Sequence, residues 1–292
     1  MTTRTYADLQ EHIETLDRAG LLHRIDVPVN KDTQMHPLVR WQFRGGIPEK
    51  DRKAFLFTNI VDSKGRCFDN MRVVVGAIAA NPEIYRIGMN VPTLDDIGPA
   101  WERALAHPIP PRLVESGHVH DVIITGAGLM GPGRGLEALP VPISTPGFDA
   151  APYLTATCVI TKDPETGVQN MGTYRGMLKS SDRIGMMMLV ANRAGGIEHW
   201  KEHNKSRKPM PMAIVLGAPP IVGFLGPQKV GIGVEFIFPS RNLTGQAEFA
   251  RAAGLVASRR VCCNSPRRFR GYPRCCDWAA APASPPIDSD RP

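Results

Sequence analysis

Apolar residues recur at helical spacing near the start of the chain. In TYADLQEHIETLDRAG, Leu9, Ile13 and Leu16 fall on one face and predict an amphipathic helix, with Gly20 as its stop. The pattern then shortens. LHRIDVPV, AFLFTNI and MRVVVGAI are rich in β-branched and aromatic residues and predict short strands, with a charged, Gly-containing turn at residues 62–66 between the last two. VPTLDDIGPAWERALAH predicts a second helix around Trp101 to Leu105, begun near Pro99. From Leu154 onward strands dominate: LTATCVITKD and VQNMGTYRGML flank DPETG, whose Asp, Pro and Gly suit a hairpin turn. RIGMMMLV is a further apolar run, its methionines read as core filling, GGIEHWKEHN begins a short helix, and PMAIVLG reads as a buried strand. No period of fixed length repeats. The fold class is therefore α+β, with an N-terminal α/β portion over residues 1–115, a strand-rich middle domain over 116–250, and a tail over 251–292.

One stretch offers nucleotide chemistry. HDVIITGAGLMGPGRG places Gly126, Gly128 and Gly131 at the spacing of a dinucleotide fingerprint. That fingerprint needs a helix to start inside it, so that free backbone N–H groups and the positive end of the helix dipole meet the pyrophosphate. Pro132, Gly133 and Gly135 follow at once, and Pro140, Pro142 and Pro146 come soon after, so no useful helix can propagate. A Gly-rich exit loop from a strand is the better account.

Composition narrows the choices. The 292 residues, 42% hydrophobic and 22% charged, suffice for a sizeable core. The net charge of +7 is uneven: residues 259–292 hold seven Arg and three Asp, which gives +4 of it. The body carries no basic stripe with interleaved aromatics, which argues against nucleic acid as a partner. No apolar run approaches the roughly 20 residues of a membrane span, and no signal pattern opens the chain, so the expectation is a cytoplasmic protein without a membrane partner. Cys67 and Cys158 stand alone in apolar surroundings, while Cys262, Cys263, Cys275 and Cys276 form adjacent pairs that match zinc spacing poorly. His199, Trp200 and His203, ringed by Lys201, Glu202 and Lys205, read as a solvated helix face. Beyond about Ala250 the Arg, Pro, Ala and Cys-rich sequence loses all periodicity and predicts disorder.

The decisive stretch is ALPVPISTPGFDAAPYLTATCVITKDPETGVQNMGTYRGML, residues 138–178. Its Leu-Pro-x-Pro segment, its Pro-Tyr-Leu-Thr strand and its hairpin ending in Asn-x-Gly-x-Tyr-Arg resemble the UbiD family of reversible carboxy-lyases, over about residues 5–236. The resemblance implies a split-barrel-like, flavin-binding middle domain. It also implies prenylated FMN as cofactor, with its phosphate held through a divalent metal, usually Mn2+, and K+ nearby. In that reading Asn170, Met171, Gly172, Thr173, Tyr174 and Arg175 contact the cofactor. Asn170, Asn192 and Glu235 ligate the metal, with Asn192 of VANRAGG standing where relatives commonly carry His and so offering an amide oxygen in place of a ring nitrogen. Arg175 corresponds to the catalytic arginine that orients the substrate carboxylate, a task suited to an always-charged, bidentate guanidinium. Five residues separate Asn170 from Arg175, so on one continuous strand they would point to opposite faces; a shared site requires a bulge or strand end at Gly172 or Gly176.

The implied activity is non-oxidative decarboxylation of an aromatic or α,β-unsaturated carboxylic acid, a small-molecule partner, in a homo-oligomer like the full-length relatives. In the family a glutamate in relay with the arginine returns the proton. Here FIFPSRNLTGQAEFA departs from the pattern after Phe236, Glu248 has no motif around it, and the family's C-terminal domain is expected to be missing. A GC-rich gene read in a shifted frame would give such an ending. The alternative to the enzyme is thus a truncated, inactive remnant that binds flavin or oligomerises.

Overall fold

The computed structural model describes residues 8–69, 71–106, 121–188 and 194–228. Helix α1, Leu9–Arg18, starts where the Asp8 carboxylate accepts from the Glu11 amide and buries Ile13 and Leu16. Gly20 follows at φ +70°, the left-handed conformation that stops a helix cheaply only at glycine. The chain then forms β1 (Leu22–Ile25) and β2 (Val29–Asn30), α2 (Met35–Arg44), β3 (Ala54–Phe57), β4 (Ile60–Val61) and β5 (Val73–Val75). Strand β3 is central: it pairs in parallel with β1 and antiparallel with β5, and all four of its residues are buried, as a strand covered on both faces must be. Strands β2 and β4 form a separate parallel pair. The charged turn at 62–66 lies where the sequence placed it, with the Asp62 carboxylate accepting from the amides of Lys64 and Arg66 and from the Arg66 guanidinium. Burial alone would raise the Asp62 pKa; these donors outweigh it and hold the carboxyl below its ordinary range.

Helices α3 (Pro82–Met89) and α4 (Ile97–Ala106) close the N-terminal portion. Asn81 caps α3 through the Ile84 amide, and Pro82 sits at the first turn, where its missing N–H costs nothing. Helix α4 begins two residues before Pro99, because a 3-10 turn at Leu94–Asp96, boxed by Thr93 and Asp96, feeds directly into it. Helix α2 lacks the single apolar stripe that would announce it: Val39 is buried while Trp41 and Phe43 face outward, and Pro37 lies in the first turn, where it is tolerated.

The Gly-rich segment is a loop, as expected, but among the described residues no strand leads into it. Val122, Ile123 and Ile124 are exposed and find no ladder partner among the described residues, and β propensity without a partner makes no strand. Only 3-10 turns follow, at Gly126–Leu129 and Gly135–Ala138, so no helix N-terminus is offered to a pyrophosphate.

The strand-rich middle portion holds two three-stranded antiparallel sheets. One has the order β10-β9-β6, from β6 (Tyr153–Leu154), β9 (Gly176–Ser180) and β10 (Arg183–Met186). The other has the order β11-β7-β8, from β7 (Cys158–Lys162), β8 (Gln169–Gly172) and β11 (Met212–Val215). The predicted hairpin is β7 and β8, paired from Val159–Gly172 to Lys162–Gln169, with the Asp163 carboxylate accepting from the Glu165 and Thr166 amides in the turn. Helix α5, Gly195–Lys205, packs on this hairpin, and α6, Pro220–Leu225, follows β11. Among the described residues no barrel closes.

Three cores result. Two belong to the N-terminal portion, around Leu16 with Leu56 and around Phe57 with Met35. The third joins Met89 of α3 and Ala100 of α4 to Cys158, Ile160 and Met171 of the hairpin and to Phe224 and Leu225 of α6. Tyr85 meets the Phe224 ring edge-on at 4.5 Å, and its hydroxyl accepts from the Trp101 indole N–H at 3.1 Å. No helix among the described residues is long and apolar enough to cross a membrane.

Phe57→Ala is expected to cost about 3–5 kcal/mol in urea unfolding, because a fully buried ring leaves a cavity that the neighbours only partly refill. Trp41→Ala, at an exposed position, is expected to stay within about 0.5 kcal/mol of the parent.

Candidate functional site

Strand alternation decides what each hairpin residue faces. Ile160 and Met171 are cross-strand partners, and both point into the third core. The next pair, Thr161 and Asn170, turns to the other side, where α5 lies. Thr161 Oγ1 meets His199 Nδ1 at 3.0 Å, and the Asn170 side chain abuts Gly195. A Cβ on Gly195 would overlap the Asn170 amide, and one on Gly196 would come within 3.0 Å of the Tyr174 ring and 2.9 Å of Met188 Sδ. The two glycines, poor helix formers in themselves, therefore let α5 approach closely enough to touch the hairpin.

Strand β8 ends at Gly172 and β9 begins at Gly176, so residues 173–175 form the link. This is the strand end that a shared site required. Tyr174 turns back onto Asn170: its hydroxyl lies 3.5 Å from Asn170 Nδ2 and accepts the Gly196 N–H at 3.1 Å. Thr157, fully buried, donates its hydroxyl to the Tyr174 carbonyl, and a Cβ on Gly172 would collide with the Tyr174 ring. The phenol is thus held from below, behind and above.

The remaining predicted residues fall as follows. Met171 is buried in the core, Gly172 is buried beneath Tyr174, and Thr173 is exposed beside Gly226 at the end of α6. Arg175 is exposed; its carbonyl accepts the Met187 amide at 3.1 Å and its guanidinium touches Met187 Sδ at 3.4 Å. No carboxylate among the described residues pairs with it. Asn192 and Glu235 lie outside the described residues, as does the segment beyond 228 with its cysteine pairs and Glu248. Among the described residues no group of three His, Cys, Asp or Glu side chains could hold a metal. Asn170 is the one described residue of the expected ligand set; it is half-buried beside Gly195, and its amide oxygen is a hard donor of the kind a hard divalent cation takes.

Two expectations change. The face of α5 bearing His199 and His203 is not solvated: His199 is half-buried on Thr161, and His203 Nε2 lies 3.1 Å from the Lys162 carbonyl, so the helix is stitched to the end of β7. The methionine run is not core filling either. Met187 is exposed beside Arg175 and Met188 touches Gly196, so both border the site. Sequence reasoning gave Gly195, Gly196 and Thr157 no role here; two glycines opening a helix were the available sign.

A separate cleft of about 300 Å³ opens between the N-terminal portion and the middle sheets, lined by Lys31, Asp62, Arg66, Glu137, Leu178 and Lys179 among others. Asn170, Tyr174 and Arg175 do not border it. Its charges are largely matched, Arg66 bonding to Asp62 at 3.0 Å and reaching Glu137 at 3.7 Å.

Comparison with known proteins bears on this hairpin. Residues 127–235 match the UbiD family's 3-octaprenyl-4-hydroxybenzoate carboxy-lyase Rift-related domain. The UbiD-class enzyme HmfF of Pelotomaculum thermopropionicum, solved in complex with FMN, is 25% identical and superposes with a TM-score of 0.68 over 82% of this chain and 49% of its own. An evolved dimeric form of HmfF, solved with prenylated FMN, gives 24% identity and a TM-score of 0.66, over 82% of this chain and 51% of its own. The vanillic acid decarboxylase of Sedimentibacter hydroxybenzoicus, in closed form, gives 22% and 0.69, over 84% and 50%. The last two likenesses, below 25% identity, speak for the fold alone. The chain spans about half the length of these solved relatives.

Burial lowers the His199 pKa, and His203 beside it adds to that, against the opposing pull of Asp163 and the Thr161 contact. A histidine held neutral contributes stability that is complete above its unfolded pKa of about 6.5 and is lost as pH falls below it. Stability is therefore expected to decline from pH 7 to pH 5, and His199→Gln to flatten that decline, as read by urea midpoints across the range. His12, His23 and His36 are shifted in the same direction and account for the slope that remains.

Proposed function

We propose, from the match of residues 127–235 to the UbiD family's Rift-related domain, that the hairpin and the start of α5 form part of a prenylated-FMN site for decarboxylating an aromatic or α,β-unsaturated carboxylic acid. The observation that carries the reading is the convergence of Asn170, Tyr174 and the Gly195–Gly196 backbone at one end of the sheet, with Arg175 next in the chain and exposed. Asn170 would supply an amide oxygen to the divalent cation, manganese in this reading, with Asn192 and Glu235 as its further ligands and K+ alongside. The backbone of residues 171–173 would line the flavin.

Prenylated FMN, when bound, supplies the electron sink for the bonding pair left behind by departing carbon dioxide. The protein's own part is positioning and charge. The Arg175 guanidinium, free of any described carboxylate, would pair bidentately with the substrate carboxylate and fix it for cleavage. Met187 and Met188 would give the acid's apolar part a soft, adaptable wall and keep water from the reacting bond. The match to the UbiD family's carboxy-lyase domain and the likeness to HmfF support the class of reaction, and the assay chooses the acid.

The test is to load the full chain with prenylated FMN and Mn2+ and follow carbon dioxide release from a panel of hydroxybenzoates and cinnamates. Turnover that falls about 10²–10³-fold in Arg175→Ala, with flavin uptake unchanged, is the expected result. Flavin uptake without turnover favours the second reading, a chain that binds the cofactor without catalysing the reaction. Absence of uptake sinks both.

A further inference from the structure

The Tyr174 hydroxyl sits between two groups that the cofactor reading uses separately. It takes the Gly196 N–H, one of the first-turn donors of α5 that have no partner within the helix, and it faces the Asn170 amide. Ala194, which precedes the helix, offers no side-chain cap, so the phenol does a capping residue's work from a different strand link. Asn170 is meanwhile wedged: Gly195 blocks one side, and its own strand and Tyr174 occupy the others. An asparagine amide can flip end for end at little cost unless its neighbours tell oxygen from nitrogen. Here the phenol oxygen, which accepts the Gly196 N–H, stands 3.5 Å from Nδ2, while Gly195 closes on Oδ1.

We propose that Tyr174 is a positioning residue, whose phenol pins the first turn of α5 to the hairpin and thereby locks the Asn170 amide in place against Gly195. The inference rests on the cofactor reading only in what Oδ1 is for; the lock itself is a property of the apo chain. It follows that Gly195 and Gly196 are as necessary as the tyrosine, since a Cβ at either would push the helix off the amide or the ring. Fixing a ligand's orientation through a hydrogen-bonded neighbour is worth about 10–100-fold in metal affinity in sites where it has been measured.

Tyr174→Phe keeps the ring and its packing and removes only the oxygen. In the full chain without cofactor, Gly196 amide hydrogen exchange is expected to quicken about fivefold, the size of one hydrogen bond. The Asn170 side-chain NH2 resonances are expected to lose their single, well-dispersed position in 15N-correlated NMR spectra. With FMN present, Mn2+ affinity by electron paramagnetic resonance titration is expected to fall at least tenfold. Gly195→Ala, which leaves the phenol in place but crowds the amide, should weaken Mn2+ to a similar degree. Unchanged Gly196 exchange or unchanged Asn170 resonances in Tyr174→Phe overturns the proposal, and so does parental Mn2+ affinity in that variant. Should the parent chain take up no Mn2+, the cofactor reading fails, and the lock stands or falls on the exchange and NMR results alone.

Discussion

Close approach of the start of α5 to the β7–β8 hairpin is the contact on which the arrangement of the site depends. It is possible only because residues 195 and 196 carry no side chains, and it is made specific by the Tyr174 hydroxyl, the Asn170 amide and the Thr161–His199 pair. None of these interactions is strong alone. Together they set the helix at one height over the sheet, at both its ends, since His203 reaches the Lys162 carbonyl near the opposite terminus. A side chain gained at the helix start would disturb every group downstream of it.

Strand alternation gives this contact its second consequence. With Ile160 and Met171 committed to the core, Thr161 and Asn170 have no choice but to face the helix. The core cluster is therefore what aims the polar pair. It also reaches into α3, α4 and α6, so that the N-terminal portion and the hairpin share apolar contacts. The edge-on Tyr85–Phe224 pair is part of that joint.

Much of this was legible in the residues. The period of Leu9, Ile13 and Leu16 and the DPETG turn each carried a local physical signal, and each element stands where that signal put it. Helix α2 was not legible, because Trp41 and Phe43 are apolar yet exposed and blur its stripe. The strand expected before Gly126 is absent for the opposite reason: Val122 to Ile124 have the propensity but no partner among the described residues, and pairing is a tertiary fact. The docking of α5 was hidden too. Charged residues around His199 suggested water, whereas the face that matters is chosen by two glycines whose role appears only when the hairpin is beside them.

Helix α6 has a consequence of its own. Its last residues lie in the third core, and Gly226, just beyond, packs against Thr173 in the link that carries Tyr174 and Arg175. The end of α6 is thereby coupled to the link, so a substitution in the third core that shifts α6 is transmitted to the backbone carrying Tyr174 and Arg175.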